Sequence, residues 1–234
     1  MGIRLGFSTG CLYKSIADEK DRLSFLRDSG QSVVELGLVK LNVFEREITR
    51  IGWNDLSGFD YVSLHAPVAE YGYNVQTDLI FIKIARVHRI RPFDLVVFHP
   101  DTVEDFSVFE TCPSFPVAFE NMDKRKKTFK SVEDIAELAG QFEDFKMVLD
   151  VNHAYTNDPS ITLTAEFYEK LGDKIAQVHL SGYTGYHEPL FQTQQAEIIK
   201  SIRDPNVPII VEGVLKPEEL IVERDYILKI LGED

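Results

Sequence analysis

The sequence predicts an α/β chain folded as a closed (β/α)8 TIM barrel, a single domain over residues 1–234. Three observations predict it. Short apolar segments recur eight times at fairly even spacing, roughly 29 residues per repeat. Most are near-continuous apolar runs, the pattern of parallel strands buried on both faces. A helical pattern lies between each pair, and strict strand–helix alternation leaves either a doubly wound open sheet or a closed barrel. The count of eight favours the barrel. The first strand runs into Ser8-Thr9-Gly10-Cys11, without the glycine spacing of a dinucleotide site.

In chain order, the first strand is expected over 3–8, then a helix over 22–27 carrying Leu23, Phe25 and Leu26. Gly30 is its natural stop. The second strand is expected at 32–36, with Asn42 capping a helix over 43–51. The third, 61–64, precedes a helix over 79–90 that ends before Pro92. The fourth, 95–98, leads into a short turn capped by Thr102, and the fifth, 117–119, into a helix over 132–142 capped by Ser131. The sixth, 147–149, precedes a helix from Ser160 to Leu171. The seventh, 175–180, precedes a helix over 194–202 that stops before Pro205. The eighth, 209–211, precedes a helix over 218–231 with Pro217 in its first turn.

Composition narrows the function. Hydrophobic residues at 44% and charged residues at 27% are those of an ordered globular chain. No apolar run approaches the ~20 residues a membrane span needs. No charged leader with a long apolar core opens the sequence, so a cytoplasmic protein with no membrane partner is expected. Cys11 and Cys112 form no metal or redox spacing, which fits a reducing compartment. A net charge of −13 disfavours a nucleic-acid partner held through a broad basic face.

The chemistry gathers at strand ends. His65, His99 and His179 close or follow the third, fourth and seventh strands, while Glu120, Asp150 and Glu212 stand at the ends of the fifth, sixth and eighth. In a barrel these ends open on one face. A carboxylate buried there without a partner costs several kcal/mol. Six such residues in register point to a shared divalent metal ahead of buried structural polarity. Mixed imidazole and carboxylate donors suit Zn, Mn, Fe or Co better than Ca. Glu35, ending the second strand, reads equally as an acid/base group or substrate contact and as a barrel-end residue paired with Arg or Lys. The basic run of Lys124, Arg125, Lys126 and Lys127 follows the fifth strand, where it either attracts a phosphate or forms a solvated loop. Tyr13, Trp53, Tyr71 and Tyr73 could stack on a ligand or simply pack, and Cys11 could border the pocket. His88, among arginines late in a helix, is expected at the surface.

Phe98-His99-Pro100, Glu120-Asn121, Asp150-Val151-Asn152-His153-Ala154 and 208–212 together resemble the xylose isomerase-like TIM barrel superfamily, which includes the endonuclease IV family and sugar isomerases and epimerases. The resemblance runs over all eight units. The endonuclease IV pattern implies one metal on His65, His99 and Glu120, and a second on Glu120, Asp150, His179 and Glu212. His153 and His187 match two ligands of a third, but Gly185 stands where that family has an aspartate. Two divalent ions are therefore expected, with one or three as alternatives. The ketose epimerases imply instead a single metal on Glu120, Asp150, His179 and Glu212, with the two glutamates moving a proton and His65 and His99 binding hydroxyls. The first expectation is phosphoester hydrolysis of a small substrate, with Glu120 and Glu212 catalytic and Glu35, Lys124 and Arg125 as further substrate contacts. The alternatives are isomerisation or epimerisation of a sugar or sugar phosphate, and a non-catalytic barrel that binds metal or ligand.

Overall fold

The computed structural model describes residues 2–111 and 114–232, so Cys112 lies outside the described residues. Eight strands close into a barrel in chain order: β1 (Leu5–Ser8), β2 (Val33–Gly37), β3 (Tyr61–His65), β4 (Leu95–Phe98), β5 (Val117–Glu120), β6 (Met147–Asp150), β7 (Ile175–Leu180) and β8 (Ile209–Val211). Every neighbouring pair is parallel, and β8 returns to β1 with Leu5 opposite Ile209. The TIM-barrel expectation therefore holds. β3, β5 and β6 run one residue further than expected and take His65, Glu120 and Asp150 into the strands themselves.

Side chains alternate across each strand. Phe7, Val34, Leu64, Phe98, Phe119, Leu149, Val178 and Val211 join the large core between barrel and helices. Val33, Tyr61, Leu95, Val97, Ala118, Val148 and Ile210 form a separate apolar cluster, the filling of the barrel interior. Gly6 faces this filling where β1 lies closest to β2, and a Cβ there would stand 2.1 Å from the Val33 carbonyl oxygen.

Helices cover the outside, and their ends depart from expectation for local reasons. Asp18 accepts from Lys20 N–H and starts the first helix at Glu19; Gly30, at φ 79°, follows its end. Asn74 caps the helix Val75–Ile90, one turn earlier than the apolar pattern indicates. Ser131 caps as expected, but its helix stops at Ala139. Asn42 is no cap, because the helix already begins at Leu41. The Thr102 hydroxyl donates back to the His99 carbonyl, and the next helix is Val108–Thr111. The helix expected from Ser160 begins at Thr162 and runs to Leu171: Ile161 stands before it at φ 67°, the Ser160 hydroxyl accepts the Thr162 N–H at 3.4 Å and the Asp158 carboxylate accepts the Leu163 N–H. A helix absent from the expectations, Val151–Asn157, begins directly at the end of β6. Among the described residues no helix is long and apolar enough to cross a membrane.

Candidate functional site

The period of two that fills the barrel also builds the site. Val97, Ala118, Val148 and Ile210 point into the interior, so His99, Glu120, Asp150 and Glu212, two residues on, point the same way one layer higher. His65 and His179 stand likewise two residues beyond Ser63 and Gln177. Six side chains from six consecutive units thus meet at the C-terminal mouth of the barrel.

Glu120 is their centre. Its Oε1 lies 2.9 Å from His179 Nδ1 and 3.7 Å from His153 Nδ1. Its Oε2 lies 3.0 Å from His99 Nε2 and 3.3 Å from His65 Nε2, and those two ring nitrogens are 3.2 Å apart. His179 Nδ1 is 3.5 Å from Glu212 Oε1, and His153 Nδ1 is 3.3 Å from Asp150 Oδ2. Asp150 also accepts from His153 N–H, which caps the unexpected helix and fixes the carboxylate.

Burial and charge oppose one another here. Burial disfavours the charged form of His179, yet Glu35, Glu212 and Glu120 hold its pKa well above the ordinary histidine value. Burial also works against His65, but the hydrogen bond and charge of Glu120 and the fields of Glu35 and Glu212 raise it to about 9. Glu120 resists its own burial through His179, His65 and His99, and is held well below the ordinary range. Asp150 lacks such compensation: burial, with Glu120 and Glu212 nearby, pushes it up to about 7 against the pull of His153.

These residues fit divalent metal. Three groups, His65/His99/Glu120, His65/His179/Glu212 and Glu120/Asp150/His179/Glu212, each offer ligand atoms lying within 4.8 Å of one another. Ligands at ~2.0–2.2 Å around a tetrahedral ion sit about 3.4 Å apart, close to the separations above. Asp150 Oδ2 is buried without a hydrogen-bond partner, at a cost that a bound cation removes.

Beneath the cluster lies Glu35, fully buried and absent from the cavity wall. Its Oε2 accepts from Gln177 Nε2 (2.7 Å) and Ser63 Oγ (3.0 Å) and lies 3.1 Å from His179 Nε2. Tyr61 Oη donates to Gln177 Oε1 at 2.9 Å. Glu35 pairs with a histidine, where the sequence offered substrate contact or an Arg or Lys partner. Ser63 and Gln177 are not among the sequence candidates. Their signal was present: each is a polar residue inside an apolar strand, two positions before a site histidine.

A cavity of about 440 Å³ opens above the cluster, lined by His65, His99, Glu120, His153, His187 and Glu212 at its floor. The His153 and His187 rings meet edge to face with centroids 5.8 Å apart, but these histidines join no group of three possible ligands among the described residues. Around Gly185 the loop wraps Glu188, which accepts the N–H groups of Thr184, Gly185 and Tyr186. The carboxylate near His153 Nε2 is instead Asp123, at 4.0 Å, another residue the sequence candidates omit.

The basic run divides. Lys124 lies over the Tyr183 ring and away from the cavity wall. Arg125 and Lys126 line the cavity, but Arg125 is held by Asp123 and Lys126 by Asp101 at 2.7 Å. Tyr13 and Tyr186 are the cavity's tyrosines, whereas Tyr71 is fully buried against Phe81, Phe98 and Phe109. Cys11 is buried in the core, and His88 Nδ1 accepts the Phe93 N–H.

No family profile matches the sequence, and no curated protein matches it. Solved structures do. Endonuclease IV from Thermus thermophilus superposes with a TM-score of 0.67 at 17% identity, covering 99% of this chain and 100% of that one. A xylose isomerase domain protein from Alicyclobacillus acidocaldarius gives 0.63 at 12%, over 98% and 99% of the two chains. A sugar phosphate isomerase/epimerase from Parabacteroides distasonis gives 0.61 at 15%, over 100% and 96%. The chain shares the barrel fold of these proteins along its whole described length.

Proposed function

We propose that this chain is a divalent-metal-dependent hydrolase of small phosphoesters, with two ions joined through Glu120. The observation that carries the reading is the position of that carboxylate: Oε2 faces His65 and His99, and Oε1 faces His179. One ion would take His65, His99 and Glu120; the other would take Glu120, Asp150, His179 and Glu212. Zn, Mn, Fe or Co bound there neutralises phosphoryl oxygens and lowers the pKa of water near neutrality.

The chain's own residues do the rest. Glu120 sets the spacing between the two halves of the site. Glu212 is half-buried on the cavity wall, more open to solvent than Glu120 or Asp150, and takes the proton of the entering water. Below the cluster, the buried Glu35, Ser63 and Gln177 and the apolar filling of the barrel close the site off from solvent. The cavity volume suits a small molecule, and the net charge of −13 disfavours long nucleic acid. The shared fold with an endonuclease IV supports phosphoester chemistry by analogy.

The test combines metal content per chain by mass spectrometry with hydrolysis of p-nitrophenyl and bis-p-nitrophenyl phosphate. Two ions per chain and metal-dependent hydrolysis are expected, and His99→Ala should lose one ion and the activity together. Metal content and hydrolysis both unchanged in that variant would sink the reading.

One observation favours a second reading. Glu120, Asp150, His179 and Glu212 form a sufficient group for a single ion by themselves. Such a site suits isomerisation or epimerisation of a sugar or sugar phosphate, with Glu120 and Glu212 moving a proton on either side of one carbon. One ion per chain, and substrate deuterium exchange abolished by Glu212→Gln, would favour it over hydrolysis.

A further inference from the structure

The cavity is electrically lopsided. Its floor carries Glu120, Asp123 and Glu212, with Arg125 and Lys126 each tied to a carboxylate. The wall built by the segments and helices after β1 and β2 carries three cations, Arg22, Lys40 and Arg46, and no acid. Their counter-charges lie off the cavity wall: Glu19 pairs with Arg22 at 3.0 Å, and the buried Glu47 is shared by Arg46 and Arg50. Asp18 takes the other side of Arg50 at 2.7 Å. Those three acids balance the three arginines. Lys40 is left over, and so is its neighbour Lys14: neither has a carboxylate within ion-pair distance among the described residues. Both ammonium groups lie by the Tyr13 ring, at 6.0 Å and 5.7 Å from its centroid. Excess positive charge thus sits on this wall in a chain whose net charge is −13.

From this juxtaposition we infer that the wall at Lys40, with Lys14 beside it at Tyr13, is a second subsite, which binds an anionic oxygen group of the substrate away from the metal cluster. The inference deepens the hydrolase reading and rests on it for the word substrate: the molecule would carry a phosphate or carboxylate besides the group that reacts. Arg22 is buried and fixed by Glu19 and by the Thr9 and Ala17 carbonyls, so it forms a rigid backing to the wall. Lys14 and Lys40 are exposed, and they close on the anion from the rim. Tyr13, 45% exposed between the two lysines, covers the group on its open side.

The test is calorimetric titration of the chelator-treated full chain with inorganic phosphate, and in parallel with malonate, at low ionic strength. Working without metal separates this site from the cluster. The wild type is expected to bind phosphate or malonate, and the arm that binds more tightly states which oxyanion the wall takes. Lys14→Gln/Lys40→Gln should weaken that binding at least tenfold, whereas Arg125→Gln/Lys126→Gln should leave it within twofold. Thermal unfolding checks that both variants fold. Absence of binding to the wild type, or equal losses in the two variants, overturns the inference. If binding follows the expected pattern but no phosphoester is hydrolysed, the hydrolase reading fails while the subsite stands. If hydrolysis is found and the titration fails, only the subsite falls.

Discussion

Replacing Glu35 by glutamine separates two roles that a buried strand-end carboxylate could play. Glu35 Oε2 lies 3.1 Å from His179 Nε2 and also takes hydrogen bonds from Ser63 and Gln177. It touches no part of the cavity. The variant keeps size and shape but removes the charge. A hydrogen bond to a charged group contributes about 1.5–3 kcal/mol, which corresponds to the 10–100-fold loss of metal affinity common for groups that support a ligand from behind. A proton also competes for His179 Nδ1, and Glu35 is the foremost of the charges holding that proton on. Losing the carboxylate weakens both competitors. A divalent ion feels the same charge about twice as strongly as a proton does, so part of the loss survives the competition. The expected result at neutral pH is therefore near the lower limit, about tenfold.

The assay is competition for Zn or Mn against a chromophoric chelator, followed by turnover at saturating metal. Affinity should fall about tenfold, the lower limit for a supporting group, with kcat restored to within threefold once the site is filled. Lost turnover at full occupancy would refute the argument and make Glu35 part of the proton chemistry. Unchanged affinity would refute it from the other side, since His179 would then not depend on its partner.

Three further outcomes follow from the same physics. The metal-free protein should lose stability as pH rises from 6.5 to 9, because His65, raised to about 9 in the folded chain, binds its proton more tightly there than when unfolded; the loss is bounded at about 3 kcal/mol, and saturating metal should flatten it in calorimetric scans. Asp150→Asn should raise the melting temperature of the metal-free protein at pH 8, because burial holds the Asp150 pKa up at about 7 and its ionisation there is costly, while mass spectrometry should show metal lost from the Glu120/Asp150/His179/Glu212 group. Ile161→Gly should stabilise the fold by about 1 kcal/mol, since a β-branched residue at φ 67° pays for a left-handed backbone that glycine adopts freely; a melting temperature that falls would show that the half-buried Ile161 side chain contributes more than its backbone costs.

Strand number, strand order and the ring of six polar strand ends are legible in the sequence for one reason. Each is set by a local period that packing enforces, and the closed barrel converts that period into convergence. Helix ends are less legible because a cap depends on which of several nearby polar side chains reaches the free N–H groups. Asp158 and Ser160 both reach back to the helix that begins at Thr162, two residues later than expected, and the Thr102 hydroxyl turns back to a carbonyl.

The polar support of the site and its charge balance show the limit of reading along the chain. Ser63 and Gln177 carry the parity of His65 and His179, so that part was readable from the strand alone. The contiguous basic run at 124–127 draws the eye, yet folding neutralises its two cavity-facing members with Asp123 and Asp101, the latter arriving from the loop after β4. Arg22, Lys40 and Arg46 are scattered over two strand–helix units and form no run at all; closure of β1 against β2 is what gathers them. Charge that acts on a ligand is what remains after the fold has paired its own ions, and pairing between loops is invisible until the loops are placed. The uncompensated lysines by Tyr13, rather than the denser basic segment, are therefore where an anion should be sought.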